Sequence, residues 1–373
     1  MPGKRVVVAM SGGVDSAVAA ALLVCEGYDV VGMTMRLWTQ DDPLASRYQR
    51  RCCPAEDIDD AQSVAGALGI PHFVINLERE FAANVVDHFI NEYSRGRTPN
   101  PCLPCNEQIK FGALFERARA LDADYLATGH YARIERDVTT LRLKTAIDAA
   151  KDQSYVLYML GQAELSRTLF PIGGLRKDEV RSLAQDLSLP VAEKPDSADI
   201  CFLPTEDYRD FIAERIVQAE GDIVDGDGAV VGRHRGVADY TIGQRRGLGV
   251  ALGAARFVTA INPQLNLITI GGEDELYSDS LRADAVRWVA GQPPAREFVA
   301  KAKIRYRSAL VRSLVRVDDD GITVEFERPQ RAVAAGQAVV LYRSDEVLGG
   351  GIISGSHRLT ETESRATVAQ RLT

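Results

Sequence analysis

What this chain has little of narrows its class before any motif is read. Six cysteines among 373 residues are too few for a disulfide scaffold, so thiols that meet in space point to catalysis or metal binding. No apolar run approaches the roughly 20 residues of a membrane-spanning helix. No N-terminal stretch joins a basic start, an apolar middle and a small-residue cleavage site. The chain is therefore expected to be soluble and cytoplasmic, with no membrane partner. Positive charge is short as well. A net charge of -8 excludes a protein that holds nucleic acid through its whole-surface field, because phosphate binding concentrates Lys and Arg along the backbone's path. Any RNA contact has to be a local patch. Lys301, Lys303, Arg305 and Arg307, spaced by two, offer one as the face of a strand, with Ala302, Ile304 and Tyr306 on the other side. An ordinary solvated strand face is the competing reading. Repeats and low-complexity blocks are missing too, so the length implies two or three domains, each able to bury its own core.

What is present falls into two patterns. Val6 to Met10 is a solid apolar run, as in a strand buried on both faces of a parallel sheet. A glycine turn follows, then a helix over Ala17 to Glu26 closed by Gly27, and a second apolar strand, Val30 to Met35. The unit repeats with a helix over Glu56 to Leu68 and a strand over Phe73 to Ile75. Phe81, Val85, Phe89 and Tyr93 recur every four residues on a further helix, Ile109 to Leu121 forms another, and Tyr125 to Ala127 is a fourth strand. Such alternation predicts an α/β, doubly wound parallel sheet over residues 1–205. Near residue 205 short alternating segments with glycine turns take over. Phe257 to Ile261 and Leu267 to Ile270 flank Asn262-Pro263-Gln264 as a hairpin. Phe298 to Tyr306, Leu310 to Val317, Ile322 to Phe326 and Ala338 to Tyr342 continue the pattern. A small β-rich central domain (206–279), a C-terminal β-barrel (280–358) and a polar tail (359–373) are expected.

The most informative stretch is Ala9-Met10-Ser11-Gly12-Gly13-Val14-Asp15-Ser16, directly after the first strand. Two glycines let the backbone approach a phosphate, and the start of the next helix offers free N–H groups and a favourable dipole. Ser11 and Ser16 add hydroxyls. Neither a Walker loop nor a Gly-x-Gly-x-x-Gly fingerprint occurs here. A plain glycine turn accounts for the glycines but not for the flanking Ser and Asp. The stretch resembles the Ser-Gly-Gly-x-Asp-Ser loop of the ATP pyrophosphatases, which release pyrophosphate and hand AMP to a substrate oxygen. That resemblance implies ATP as cosubstrate and Asp15 as organiser of Mg2+ and pyrophosphate, a sensible role for a carboxylate and a hard ion. Met35 and Gly129, at the carboxyl ends of the second and fourth strands, lie where open parallel sheets bind ligands and are candidate adenosine neighbours.

Adenylation alone does not say what replaces the activated oxygen. The segments around the cysteines do. Thr98-Pro99-Asn100-Pro101-Cys102-Leu103-Pro104-Cys105-Asn106 with Ile109-Lys110-Phe111 resembles the signature of the tRNA-specific 2-thiouridylases. So do Ala127 to Tyr131, Lys151 to Tyr155, Asp196 to Phe202 and Thr241 to Gly249, in the family's order over nearly the whole chain. The resemblance implies an adenine nucleotide alpha hydrolase-like first domain and thiolation of C2 of the wobble uridine in the tRNA anticodon loop. It makes Cys201 the persulfide carrier, loaded by a sulfur-donor protein, and Cys105 the thiol that releases that sulfur or attacks it to leave a disulfide. Thiol exchange of this kind needs mutual reach and a thiolate. Asn100, Pro101 and Cys102 map to the family's target-base contacts; His130, Lys151, Asp152, Gln153, Arg305, Tyr306 and Gln337 map to its other tRNA contacts. Cys25, inside the first helix pattern, is expected to be a small buried hydrophobe.

One departure matters. Many members carry Asp where this chain has Cys102, which here completes Cys-x-x-Cys. Cys102, Cys105 and Cys201 are thus an alternative set of three ligands for a [4Fe-4S] cluster. A zinc site wants a fourth ligand, which Cys52-Cys53 supply only if their loop folds inward. Persulfide chemistry ranks first and a cluster second. Among rivals, another AMP-forming enzyme, such as a lysidine or amidating synthetase, leaves the paired cysteine segments unexplained. A tRNA-binding or sulfur-carrier module without ATP chemistry has no use for an intact Ser11, Asp15 and Ser16.

Overall fold

A computed structural model describes residues 3–37, 55–137, 139–196, 201–203, 208–250 and 253–358. Cys52, Cys53, residues 197–200 and the expected tail lie outside the described residues.

The first domain is built on β1 (Arg5–Ala9), whose Val6, Val7 and Val8 are fully buried, as a strand covered on both faces requires. It leads through the loop into α1 (Val14–Cys25), β2 (Asp29–Arg36), α2 (Ala55–Leu68) and β3 (His72–Asn76). Helix α1 starts three residues before the expected Ala17 and ends on Cys25. That thiol is exposed, a correction to its expected burial: it sits in the last turn, where the helix turns its outer side to solvent. Next come α3 (Glu78–Phe81), a wide π-type stretch (Ala82–Val86) and α4 (Asp87–Ser94). The expected stripe Phe81, Val85, Phe89 and Tyr93 is buried. Helix α5 (Cys102–Pro104) runs on through π-type turns (Cys105–Leu114) into α6 (Phe115–Arg119), so helical structure begins at Cys102 rather than Ile109.

Strands β4 (Tyr125–Thr128) and β7 (Thr168–Leu169) complete a parallel sheet of order β3-β2-β1-β4-β7. Between them lies a hairpin of β5 (Ala132–Arg136) and β6 (Leu141–Thr145), which the sequence reading missed. It leaves the parallel sheet to join the C-terminal one, where β6 pairs with β17 (Glu346–His357). Arg133 and Lys144 bind Asp345 there at 2.8 and 3.2 Å. The order of elements continues with α7 (Gln162–Leu165), α8 (Lys177–Asp186) and α9 (Tyr208–Ala213).

Strands β8 (Gly221–Val224), β9 (Val230–His234), β10 (Phe257–Asn262) and β11 (Leu267–Gly271) form a four-stranded central sheet, with β10 and β11 as the expected hairpin. Strands β12 (Tyr277–Trp288), β13 (Glu297–Lys303), β14 (Val311–Asp318), β15 (Gly321–Arg331), β16 (Ala338–Arg343) and β17 close into a six-stranded barrel through the β12–β17 pairing. Closure leaves no open edge and encloses Ala302, Val315, Val324 and Val339. The four cations read as one strand face do not share it. β13 ends at Lys303, and the Ser308 hydroxyl accepts the N–H groups of Ile304 and Arg305, which turns the chain before Arg305 and Arg307.

Candidate functional site

At the nucleotide loop, helix α1 has Gly13 at its cap position and no side chain capping it, so its first amides are open to an anion. The Ser16 hydroxyl donates to the Gly13 carbonyl at 3.0 Å and accepts the Ser11 N–H at 3.2 Å, which holds the loop in shape. Gly129 lies directly against this turn. A Cβ there would stand 2.7 Å from the Ser16 nitrogen, so no larger residue fits. Met10 is buried under the loop, and Ala9 and Met35 are half-buried at their strand ends. The loop residues, Met35 and Gly129 are thus gathered at the carboxyl edge of the sheet.

Asp15 is engaged from two sides. The Tyr131 hydroxyl donates to Oδ1 at 2.7 Å, and Lys177 Nζ stands 2.8 and 2.9 Å from the two carboxylate oxygens. Burial, then the bond to Asp15, push the Tyr131 phenol far above its ordinary range. Lys177 also binds Asp196 at 2.9 Å, and Asp196 receives Lys151 at 2.7 Å and Arg181 at 2.8 Å. Burial works against ionisation of Asp196, yet Lys151 and Lys177 together hold its carboxyl below the usual carboxylate range. Sequence reasoning missed Lys177 and Arg181, since one helix of mixed charge carries no signal for either.

Residues 151–157 join this end to the cysteines. Gln153 Oε1 accepts the Tyr131 N–H at 2.9 Å, and the Asp152 carboxylate is used within its own turn by Ala146, Ser154 and the Ser154 hydroxyl. Further on, the Val156 carbonyl accepts from Asn106 Nδ2 at 2.8 Å, the Tyr155 hydroxyl donates to the Ala338 carbonyl at 2.9 Å, and the Tyr155 and Tyr306 rings meet edge to face. Pro101 is buried, and Asn100 Oδ1 accepts the Cys102 N–H at 3.0 Å. Gln337 donates to the Thr98 carbonyl at 2.8 Å, so the barrel props the segment carrying the Cys-x-x-Cys.

Cys105 is buried, Cys102 half-buried and Cys201 exposed. Phe202, next to Cys201, is packed among Phe81, Phe89 and Phe211, in the same hydrophobic core as Leu103 and Cys105. Among the described residues, which include all three cysteines, no set of three His, Cys, Asp or Glu side chains gathers as metal ligands. The arrangement therefore does not fit a [4Fe-4S] cluster, and no step is drawn through one. Magnesium fits in one form, with Asp15 as the protein carboxylate and substrate phosphates supplying the other oxygens.

Two expected tRNA contacts are turned inward. His130 is 6% exposed, boxed by Phe111 and Phe170, with Thr128 Oγ1 2.7 Å from Nδ1 and Lys110 Nζ 3.4 Å from Nε2. A lysine ammonium can only donate, so Nε2 accepts and Nδ1 carries the proton toward Thr128. Burial, then Lys110, push the imidazole well below its ordinary pKa. Arg305 donates through Nη2 to the carbonyls of Arg331 and Ala332. Lys301 and Arg307 remain exposed.

The family described as the tRNA methyl transferase HUP domain matches residues 4–205, its PRC-barrel domain matches 209–272, and the aminomethyltransferase beta-barrel domain matches 278–353. The chain is 47% identical over 357 residues to the tRNA-specific 2-thiouridylase of Lachnoclostridium phytofermentans, covering 94% of this chain and 99% of that one. It is 48% identical to the Heliobacterium modesticaldum protein of the same name, over 94% and 92% of the two chains. Among solved structures, a 4-thiouridine synthetase–RNA complex with bound ATP aligns with 54% of this chain and 46% of its own at 18% identity. Its TM-score is 0.34.

Proposed function

Because the chain belongs to the tRNA-specific 2-thiouridylase family, we propose that it adenylates the C2 oxygen of a tRNA wobble uridine with ATP and replaces it with sulfur. The observation that carries this reading is continuity. Asp15 bonds Tyr131, whose N–H bonds Gln153, and three residues of chain later Val156 bonds Asn106, next to Cys105. A nucleotide end and a thiol end are thereby built on one strap of chain.

The uridine C2 oxygen is a poor leaving group until adenylation makes it a phosphate ester. The α1 amides, Ser11 and Ser16 take the phosphates, Met35 and Gly129 border the adenosine, and Asp15 meets the magnesium that neutralises phosphate charge. C2–O attacks the α-phosphorus and pyrophosphate leaves. The terminal sulfur of a Cys201 persulfide, loaded by a sulfur-donor protein, then attacks C2 and AMP leaves. Cys105 thiolate attacks Cys201 Sγ, which frees the thiocarbonyl sulfur on the base and closes a Cys105–Cys201 disulfide. The base has to leave the anticodon stack to be reached. Asn100, Pro101 and Cys102 face it, while Lys151, Asp152, Gln153, Arg305, Tyr306 and Gln337 support the RNA around it. His130, being buried, shapes that surface from beneath. Among the described residues no helix is long and apolar enough to cross a membrane.

Mass spectrometry of nucleosides from tRNA incubated with the protein, ATP, magnesium and a persulfide source tests the proposal. 2-Thiouridine at the wobble position is the expected product. A base carrying nitrogen at that carbon, or an unchanged one, overturns it.

A further inference from the structure

Cys102 is the thiol to which the proposed sulfur transfer gives no thiol chemistry. Pro101-Cys102-Leu103-Pro104-Cys105 opens one continuous run of helical structure that extends from Cys102 to Arg119. Cys102 is the first residue of the run, and the Cys105 N–H donates to the Pro101 carbonyl at 3.2 Å, which closes the first turn across the pair. Asn100 Oδ1 holds the Cys102 N–H from outside the turn. Pro104 falls where a helix leaves its N–H groups without an internal partner, so its missing donor disturbs nothing. Two residues three apart on a helix have their Cα atoms about 5 Å from each other, inside the range that a disulfide spans. The two thiols differ in access, for Cys102 is half-buried and Cys105 only 8% exposed. Cys201 comes from a distant stretch of chain and is exposed.

We propose that Cys102 is the resolving thiol of the cycle: it takes Cys105 back from Cys201 once sulfur has been delivered, and so returns Cys201 to its loading state. The proposal rests on the reading above in which delivery leaves a Cys105–Cys201 disulfide, and it adds the step that opens this bond. Cys102 thiolate attacks Cys105 Sγ, the Cys105–Cys201 S–S bond breaks, and Cys201 departs as thiolate and takes a proton from water. One disulfide replaces another, so the step needs neither oxidant nor reductant. A dithiol reductant from solution then opens Cys102–Cys105 by exchange at the half-buried Cys102 and becomes a disulfide itself. Access favours this order. Reductant from solution barely reaches Cys105, whereas Cys102 stands one turn away on the same helix, so its attack is intramolecular. The new bond lies within a helical turn already formed and puts no restraint on the segment of Cys201, which is reloaded at the surface. The bond from Gln337 to the Thr98 carbonyl steadies the chain just ahead of the run, and with it the position of Cys102. A carboxylate at this position, common in the family, leaves the opening to a reductant that reaches Cys201 from solvent.

The test is a single turnover without reductant. Protein carrying a Cys201 persulfide is given ATP, magnesium and tRNA, quenched in acid, unfolded and alkylated, and its disulfides are mapped by peptide mass spectrometry. Among oxidised wild-type chains, Cys102–Cys105 is expected to exceed Cys105–Cys201 by about tenfold or more, with Cys201 alkylated. In Cys102→Ser the oxidised chains should keep the Cys105–Cys201 bond. Wild type found with Cys105–Cys201 linked and Cys102 alkylated overturns the proposal. Cys201→Ser in oxidised glutathione gives a measurement independent of turnover. It should close a Cys102–Cys105 disulfide, and a stable glutathione adduct on Cys102 beside a reduced Cys105 overturns the proposal as well. Thiouridine formed with no disulfide anywhere defeats the disulfide step on which the proposal stands, and no thiouridine at all defeats the proposed function itself; both results are distinct from a misplaced disulfide.

Discussion

The Gln337 side chain donates to the Thr98 carbonyl across 239 residues of sequence. The neighbouring Gly336 makes the contact tighter still. Its φ is +91°, and a Cβ there would stand 2.9 Å from the Thr98 nitrogen. Thr98 in turn donates its N–H to the Ala335 carbonyl at 2.8 Å. The barrel thus grips the chain just ahead of Asn100, Pro101 and Cys102.

Gly336→Val should therefore push the 97–98 backbone aside and strain its own. The expected cost is about 1–3 kcal/mol of stability, with thiolation falling further than the melting temperature alone accounts for. Gln337→Ala, which removes one hydrogen bond and no backbone freedom, should lose only about 1 kcal/mol. Thermal melts paired with tRNA binding check both. A Gly336→Val protein with wild-type binding and stability would mean the contact is slack.

For the proposed phosphate end, Asp15→Ala and Ser16→Ala should each abolish thiolation while tRNA affinity stays within about threefold of wild type, since the residues proposed for phosphate positioning are not those proposed for RNA contact. Filter binding and nucleoside analysis on the same preparations separate the two effects. Unchanged turnover in either variant removes the ATP assignment.

Much of this was legible in the sequence, and the parts that were not share a cause. Val6 to Val8, the Phe81 to Tyr93 stripe and the β10–β11 hairpin are local patterns, set by periodicity and turn chemistry, and they stand where expected. The β5–β6 hairpin was missed because its partner, β17, lies some 200 residues away, and no local pattern names a distant partner. The basic face failed for a different reason. A period of two is only a strand face while the strand lasts, and one hydroxyl, that of Ser308, ends it at Lys303. At the site, the loop was read from its glycines and serines. Lys177 reaches Asp15 from 162 residues away, so only the fold reveals it.

His130 supplies a pH dependence. Its folded-state pKa lies below the unfolded value of 6.5, chiefly through burial. Below about pH 6.5 the unfolded chain takes up a proton that the folded chain refuses, so stability falls as pH drops, by about 1.4 kcal/mol per pH unit at most, and is unaffected above that range. Melting temperatures between pH 7.5 and 5 for wild type and His130→Gln measure it. The variant should show the shallower decline, and parallel curves would assign the slope to other groups.

Arg305 and Arg307 should behave differently although both are arginines of one turn. Arg305 is half-buried and bonded to two carbonyls, and burial lowers its pKa. Arg305→Ala should cost about 1–3 kcal/mol of stability by leaving those carbonyls short of a donor. Arg307 is exposed, so Arg307→Ala should cost less stability than Arg305→Ala and reduce the salt slope of tRNA binding by about one. If Arg305→Ala instead lowers the salt slope at unchanged stability, the arginine leaves its carbonyls to meet a phosphate.

The cysteines give the sharpest separation of routes. Cys201 is exposed and Cys105 only 8% exposed, so a small alkylating reagent should label Cys201 well before Cys105 in folded protein, read by peptide mass spectrometry. Reach alone does not identify the chemistry, so substitutions carry the argument. Ser can neither hold a persulfide nor close a disulfide, and Cys105→Ser and Cys201→Ser should each stop product formation. In the persulfide route Cys102 passes no sulfur, and Cys102→Asp, which restores the carboxylate common in the family, should keep substantial activity in protein free of iron. A cluster route demands the opposite: brown, anaerobically prepared protein with about four irons per chain, losing colour and activity together as Cys102→Ala. The three thiols are not gathered as ligands in this structure, and the iron-free outcome is the expected one. An active iron-loaded form beside an inactive iron-free form would replace the persulfide route while leaving 2-thiouridine as the product.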